Sequence, residues 1–417
     1  MAIDRNQTAE LIRDIDALFD SLMGEVSEET RTFIKKKVMG PAYQEISELI
    51  GESRPPVLFL VGRSGHGKSS LINALANKKV AEVGGIKPVT RETIRHVISF
   101  EERYSSWEVL DSRGIFEVTA PTGATPESAV EVLKRDLLKY KPDVILHVIT
   151  ASETRALEKD MEVLREISGE YSRYGSLMPP AIAVLTKADA LGNPMDWPPA
   201  KYSLKAGQIQ DVVSYMTSDI ICAKEKKPLD LNFPYRGYRV DSDAYLAVIP
   251  VCSLPEEEDL WNIDILSDYM SEKLPKSALL AFVQAQNRKT LLQKVSSSLI
   301  KRFAGIAATI GGTPIPVADM AVLIPLQTLM IAVIGGLSCR TLSQKTATEY
   351  LGAAGVNLNV AFGARELVRW LSEGLSPPAA AAIAAATAGS ITFGIGKSAE
   401  LYFFKGELER PAEIMGQ

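Results

Sequence analysis

The apolar residues near the start of the chain recur at helical spacing. Between Thr8 and about Gly51 they fall three or four positions apart, with acids such as Asp14 and Asp16 between them. This pattern predicts amphipathic helices, each with an apolar face that needs a partner. We therefore expect a helical segment over residues 1–54, bent near Pro41, that packs with helices from elsewhere in the chain.

The pattern changes after Pro55 to short apolar runs separated by helical and polar stretches. The runs cover residues 57–61, 93–100, 107–110, 144–149, 181–185 and 247–251. Buried runs that alternate with helices indicate a mostly parallel sheet covered on both faces. The predicted fold class is therefore α/β, with this domain extending over residues 55–272.

One connection inside this domain, between Asp189 and Ala247, is unusually long. It contains a predicted helix from about Gly207 to Ala223, followed by a polar stretch. A structureless loop of that length is uncommon in a compact domain. We expect the connection to be functional, mobile or packed on another domain.

The last third of the chain, residues 273–417, is helical in pattern and markedly apolar. From Met320 to Leu337 only Gln327 and Thr328 are polar, and a second stretch, 379–395, carries no charge. A helix over the first stretch would span about 27 Å, close to the roughly 30 Å of a bilayer core. The two stretches are either core helices of a bundle or a membrane-inserting hairpin, and Pro325 with the many small residues favours the bundle.

Composition and charge restrict the class of protein. The chain has 417 residues, longer than one core usually supports, and its net charge of −5 argues against a dedicated nucleic-acid binder. The polar N-terminus is not a signal peptide, so we expect a cytoplasmic protein unless the last third contacts a membrane. Scattered cysteines and histidines exclude a disulfide framework and a zinc site; they are Cys222, Cys252, Cys339, His66, His96 and His147.

A phosphate-binding loop follows the first apolar run. The run ends at Val61, and a G-x-x-x-x-G-K-S motif then leads into a helical segment. Its glycines let successive backbone N–H groups point at phosphate oxygens, and the helix adds the positive end of its dipole. Lys68 would neutralise β- and γ-phosphate charge, and the Ser69 hydroxyl would bind Mg²⁺. The predicted nucleotide contacts here are Gly62, Arg63, Ser64, Gly65, His66, Gly67, Lys68, Ser69 and Ser70.

The choice of base depends on Thr186-Lys187-Ala188-Asp189, directly after the run 181–185. This segment resembles the T/N-K-x-D element of GTPases. The resemblance implies that Asp189 accepts hydrogen bonds from guanine N1–H and the 2-amino group, and that the Lys187 stem lies along the base. Adenine offers no such donor pair and would leave the carboxylate unpaired. Cys252 and Ser253 resemble, in degenerate form, the S-A loop beside guanine.

Two further segments resemble the switches of GTPases. In the D-x-x-G segment that begins at Asp111, Asp111 would reach Mg²⁺ through water and the Gly114 N–H would meet the γ-phosphate. In the first switch, Thr90 would cover Mg²⁺ and the γ-phosphate, with Thr93 as the alternative. Lys68, Thr90 and Gly114 are the predicted catalytic residues, and Ser69, Thr90 and Asp111 the predicted metal site.

These elements together resemble the P-loop GTPases of the translation-factor-related class. The similarity is to the Era-like and septin-like branch and to the immunity-related, dynamin-related GTPases. The segment from Pro314 to Met330 resembles a helical domain that follows Era-like G domains in bacteria. The resemblance implies a Ras-like P-loop G domain flanked by an α-helical domain built from both chain ends, with Mg²⁺ as cofactor, GTP as substrate and GDP as product.

The resemblance also implies how the protein works. Ile115 stands where Ras-like proteins carry the glutamine that orients water, so slow intrinsic turnover is expected, with Arg63, Ser64 or Arg113 as local substitutes. A self-associating GTPase acting with a lipid membrane is one expectation. A cytosolic regulator that grips a protein partner, or an Era-like ribosome-assembly factor, is the alternative, although the acidic charge disfavours nucleic acid as a partner.

Overall fold

The computed structural model describes residues 5–24, 26–51, 53–77, 79, 94–100, 105–112, 129–156, 158–173, 178–254, 260–286, 289–312, 319–338, 340–354, 377–409, 411 and 414. The chain forms two compact units. One, the helical unit, combines Met1–Ser53 with Asn287–Gln417, and the other, the sheet unit, comprises Arg54–Phe100 and Ser105–Gln286.

The strands of the described residues form one eight-stranded sheet in the order β2-β3-β1-β4-β5-β8-β7-β6. The pairs β1/β3, β1/β4, β4/β5 and β5/β8 are parallel, and β2/β3, β6/β7 and β7/β8 are antiparallel. This arrangement confirms the predicted α/β fold with a mostly parallel sheet. The strands are β1 (Val57–Val61), β2 (Ile94–Phe100), β3 (Ser105–Ser112), β4 (Val144–Thr150), β5 (Ala181–Thr186), β6 (Glu225–Pro228), β7 (Tyr238–Asp241) and β8 (Ala247–Pro250).

The described helices are numbered in chain order. They are α1 (Arg5–Leu22), α2 (Glu28–Ile34), α3 (Gly40–Ile46), α4 (Lys68–Ala76), α5 (Ala129–Tyr140), α6 (Glu158–Arg173), α7 (Ser203–Tyr215), α8 (Ile263–Lys273), α9 (Lys276–Gln286), α10 (Lys289–Gly311), α11 (Asp319–Leu337), α12 (Gln344–Ala353) and α13 (Pro377–Lys405).

The centre of the sheet explains why its strands read as continuous apolar runs. Every residue of β4 and β5 is buried, because helices cover both faces of a parallel sheet. The polar stretch of the long connection forms the hairpin β6–β7, which extends the sheet on the outer side of β8. Gly237, directly before β7, lets the hairpin backbone approach β8 closely. Its φ is +125°, and a Cβ there would lie 2.6 Å from the carbonyl oxygen of Val248.

Helix α9 belongs to the sheet unit. The Phe282 ring stacks on Trp107 of β3, with 5.3 Å between ring centroids, and the Ser105 hydroxyl donates to the Ala281 carbonyl at 2.5 Å. The Arg54 amide donates to the carbonyl of Ser277 at 2.8 Å. These contacts place the division of the chain after Gln286, where the sequence led us to expect it near residue 272.

In the helical unit, small residues let α10 and α13 approach closely as an antiparallel pair. Gly389 lies beside Ala304 and Ala308, and Gly396 beside Ile300. A Cβ on Gly396 would lie 2.8 Å from the Ile300 side chain. The many small residues of the last third therefore serve helix packing here.

Helix α11, which contains the long apolar stretch, contacts α1, α10, α12 and α13. From Leu326 to Leu337 its residues are buried, and the Gln327 amide donates to the Thr392 hydroxyl of α13 at 3.0 Å. The burial corresponds to the core-helix alternative for this stretch. Among the helices that the structure describes, none is long and apolar enough to cross a membrane.

Candidate nucleotide-binding site

The phosphate-binding loop connects β1 to α4 and adopts backbone angles that need glycine. The φ angles of Gly62, Gly65 and Gly67 are +154°, +80° and +87°. A Cβ on Gly62 would lie 2.3 Å from the carbonyl oxygen of Val148. The glycines of the motif therefore form this loop at the carboxyl end of β1, between β3 and β4.

Lys68 and Asp111 lie side by side at this edge of the sheet. The Lys68 ammonium donates to the carbonyls of Gly62 at 2.7 Å and Arg63 at 3.1 Å. Its Nζ lies 4.0 Å from Asp111 Oδ1, and the two side chains are 11% and 14% exposed. Ser69 and Ser70 follow in the first turn of α4. The structure thus brings the predicted phosphate-neutralising cation beside one predicted Mg²⁺ residue.

Two residues of the loop that were predicted to contact the nucleotide have side chains that bond to other residues of the sheet unit. Arg63 donates through Nε and Nη2 to both carboxylate oxygens of Asp160, at 2.9 and 3.0 Å. His66 is buried, with Nδ1 3.1 Å from the Val148 carbonyl oxygen and Nε2 3.1 Å from a Glu153 carboxylate oxygen. These contacts fix the loop from the side of β4 and α6. Burial raises the pKa of Asp160, while the bond to Arg63 acts in the opposite direction.

The T-K-A-D segment follows β5 and is bonded to the phosphate-binding loop. The buried Thr186 hydroxyl donates to the His66 carbonyl at 2.6 Å, and its oxygen lies 3.1 Å from the Ile149 carbonyl oxygen. The Lys187 ammonium donates to the Gly65 carbonyl at 2.8 Å. Thr186, predicted among the nucleotide contacts, has its hydroxyl directed into the protein. It joins the two loops.

Asp189 lies half-buried in the short 3₁₀ turn Ala188–Ala190. The loop after β8 runs beside this turn, because the Ala188 amide donates to the Val251 carbonyl at 3.2 Å. Cys252 is buried and exchanges two backbone hydrogen bonds of 3.1 Å with Trp261. The structure therefore places Cys252 and Ser253 next to the predicted guanine-reading segment.

The predicted switch residues lie outside the described residues, and their roles stay predictions. They are Thr90, Thr93, Arg113, Gly114 and Ile115.

The site also contains residues that the sequence did not predict. Asp160 and Glu153 partner the phosphate-binding loop, and Lys205 binds the turn that carries Asp189. Lys205 lies just before the predicted helix, and its sequence context gave no signal, since lysine is exposed by default.

Residues 57–187 match the family model described as 50S ribosome-binding GTPase. The match spans β1, the phosphate-binding loop and the start of T-K-A-D. The chain carries the G domain of a P-loop GTPase. The predicted resemblance to this class is thereby confirmed, and it rests on the motifs and the family match together.

Several curated proteins are similar to this GTPase. The uncharacterised protein YkfA of Escherichia coli (strain K12) is 24% identical over 235 residues, which cover 56% of this chain and 67% of YkfA. YfjP of the same organism is 24% identical over 242 residues, 57% of this chain and 70% of YfjP. GTPase Era of Thermoanaerobacter sp. (strain X514) is 31% identical over 179 residues, and the chain spans half of its length.

Solved structures similar to this GTPase include Era in complex with MgGDPNP and a 16S ribosomal RNA segment. That chain has a TM-score of 0.33 and 18% identity, covering 61% of this chain and 68% of Era. The LeoA bacterial dynamin GTPase from ETEC also has a TM-score of 0.33, at 13% identity, covering 89% of this chain and 60% of LeoA.

Proposed function

We propose that this protein binds GTP with Mg²⁺ and hydrolyses it to GDP and phosphate, acting as a nucleotide-dependent switch. The placement of Lys68 carries the proposal. Its ammonium lies over the phosphate-binding loop, bonded to the carbonyls of Gly62 and Arg63 and 4.0 Å from the Asp111 carboxylate. A phosphate oxygen is a stronger acceptor for an ammonium than a carbonyl. Lys68 can therefore exchange these partners for the β- and γ-phosphates.

The oxygen donors next to Lys68 fit Mg²⁺. This ion binds through one or two protein oxygens, keeps several waters and takes the rest of its ligands from phosphates. The Ser69 hydroxyl and, through water, the Asp111 carboxylate would hold it, and Thr90 would complete the site in the GTP state. When bound, Mg²⁺ neutralises charge on the phosphoryl group that is transferred.

Guanine is the proposed base because Asp189 supplies a fixed acceptor beside the phosphate-binding loop. Its carboxylate would accept from guanine N1–H and the 2-amino group, with the Lys187 stem along the base and Cys252 and Ser253 beside it. The bond from Lys187 to the Gly65 carbonyl supports this arrangement, since it keeps the base loop close to the phosphate loop. Adenine would leave the Asp189 carboxylate without a donor pair.

We propose slow intrinsic turnover. An isoleucine at position 115 cannot orient water, and Arg63 is engaged by both oxygens of Asp160 in this conformation. Ser64, Arg113, a second copy of the G domain or a partner would then supply the missing stabilisation. The helical unit would relay the nucleotide state, either to another copy at a membrane or to a protein partner. The burial of α11 within the helical unit favours the protein partner as the second candidate function.

The test is GTP hydrolysis measured against protein concentration, with and without anionic vesicles. Lys68→Ala serves as the blank, and Lys79→Ala, an exposed lysine beyond α4, as the matched control. We expect Lys68→Ala to lose GTP binding and Lys79→Ala to keep it. Turnover that rises with concentration or lipid supports self-association or a membrane role, and flat, low turnover supports a separate activator. High turnover of dilute wild-type protein would refute the slow-switch proposal.

The base assignment has its own test. Asp189→Asn replaces an acceptor by a donor, so binding should shift from GTP toward XTP, whose base has a carbonyl at C2. One lost bond to a charged group corresponds to roughly 1.5–3 kcal/mol, or about tenfold to hundredfold in affinity. Competition binding with GTP, XTP and ATP measures it. Equal affinity of the wild-type protein for GTP and ATP would contradict guanine recognition.

A further inference from the structure

Helix α7 carries a lysine whose side chain is fully buried. Lys205 is 0% exposed, whereas the neighbouring Leu204 is 68% exposed. Burying an ammonium is costly unless its donors are satisfied. The Lys205 ammonium donates to the carbonyl of Asp189 at 2.8 Å and to the carbonyl of Leu191. Its described partners are thus backbone oxygens of one short segment.

That segment is the turn proposed to read guanine. Asp189 is the central residue of the 3₁₀ turn Ala188–Ala190, and Leu191 is the residue that ends it. The turn also approaches α7 closely at Gly192, where φ is +61° and a Cβ would lie 2.4 Å from the Gln208 amide group. Helix α7 therefore supports the turn by direct packing at Gly192 and by a buried cation at Lys205.

We propose that Lys205 is a positioning residue for guanine recognition. By binding the carbonyls of Asp189 and Leu191, the ammonium fixes the turn so that the Asp189 carboxylate is aligned with the N1–H and 2-amino donors together. The inference rests on the proposed function, since it assigns Asp189 to guanine. Bidentate, charge-assisted hydrogen bonds depend strongly on geometry. A small rotation of the turn weakens the second bond of the pair before it expels the nucleotide.

A role in base reading differs measurably from a general structural role. Inosine lacks the 2-amino group but keeps N1–H, so the ratio of GDP to IDP affinity reports how well the carboxylate meets the second donor. Loss of alignment lowers this ratio. Loosening of the whole site lowers the affinity for GDP and IDP by the same factor and leaves the ratio unchanged.

The experiment measures GDP, IDP and ADP binding by the full chain carrying Lys205→Met, which keeps the length of the side chain and removes the donor. Lys201→Met, an exposed lysine in the same segment, is the matched control. We expect Lys205→Met to bind GDP about tenfold to hundredfold more weakly. Its GDP-to-IDP ratio should fall toward one, while Lys201→Met keeps the wild-type ratio. Thermal unfolding of each variant gives the stability separately.

An unchanged ratio in Lys205→Met overturns the inference, whether or not overall affinity falls. If that variant does not fold, Lys205→Leu, which is shorter and also lacks the donor, is measured in the same way, and its ratio decides. A wild-type protein that binds ADP as tightly as GDP removes the guanine site, and this inference with it. If the wild-type protein discriminates between GDP and IDP, and Lys205→Met or Lys205→Leu discriminates equally well, the inference alone is removed.

Discussion

Thr186→Val tests whether the phosphate and base loops depend on one shared hydroxyl. Valine has nearly the shape of threonine but donates no hydrogen bond. In the wild-type protein the fully buried Thr186 hydroxyl donates to the His66 carbonyl at 2.6 Å, with the Ile149 carbonyl at 3.1 Å. Leaving a buried acceptor without its donor costs about 1–3 kcal/mol. We expect the free energy of unfolding to fall by that amount.

Nucleotide affinity should fall as well, because His66 belongs to the phosphate-binding loop. If half of the lost energy acts on the loop, GDP affinity falls about twofold to tenfold. Urea unfolding and calorimetric GDP titration measure the two effects. The matched control is Thr186→Ser, which keeps the hydroxyl and loses one methyl group, about 0.8 kcal/mol. The reasoning is refuted if the valine variant is as stable as the serine variant and binds GDP equally well.

Two further predictions concern the buried residues of each unit. Burial lowers the pKa of His147 to about 3, so below pH 6.5 the unfolded state binds a proton that the native state does not. His147 therefore makes the free energy of unfolding fall with falling pH, by up to about 1.4 kcal/mol per pH unit. The free energy of unfolding of His147→Asn should depend less on pH between 6.5 and about 3 than that of the wild-type protein. An equal slope for the two proteins would contradict this. In the helical unit, Gly396→Ala should lower stability by roughly 1–3 kcal/mol, because its Cβ would lie 2.8 Å from Ile300. Gly305→Ala is the control, because a Cβ at Gly305 would have no other atom within 4 Å. It should raise the free energy of unfolding by roughly 0.5–1 kcal/mol. Chemical denaturation measures both variants, and equal effects would contradict the close approach of Gly396 to Ile300.

The strands and the phosphate-binding loop could be predicted because their sequence signals are local. A buried parallel strand needs an apolar run, and the loop needs glycine at Gly62, Gly65 and Gly67, where φ is positive. The hairpin β6–β7 gave no such signal. Glu225 and the lysines after it are exposed, so its sequence reads as a polar connection although its backbone extends the sheet. Exposed edge strands are typically charged.

Contacts between distant parts of the chain could not be predicted from the sequence, for a different reason. The motif fixes the backbone of Arg63 and His66 but leaves the direction of their side chains open, and their partners Asp160 and Glu153 come from another part of the domain. Helix α9 likewise has an apolar pattern that suits either core. The stack of Phe282 on Trp107 assigns it to the sheet unit.

The described part of the site is stabilised by polar contacts from within the protein. Thr186 and Lys187 bond the base segment to the phosphate-binding loop, and Lys205 bonds the same segment to α7. The loop proposed for the phosphates and the turn proposed for guanine are therefore parts of one hydrogen-bonded network rather than two separate half-sites. In such a network, a ligand group that orders one part reduces the entropy that the next group must overcome. The base and the phosphates of one nucleotide should accordingly reinforce each other's binding, with Thr186 as the residue through which that coupling passes.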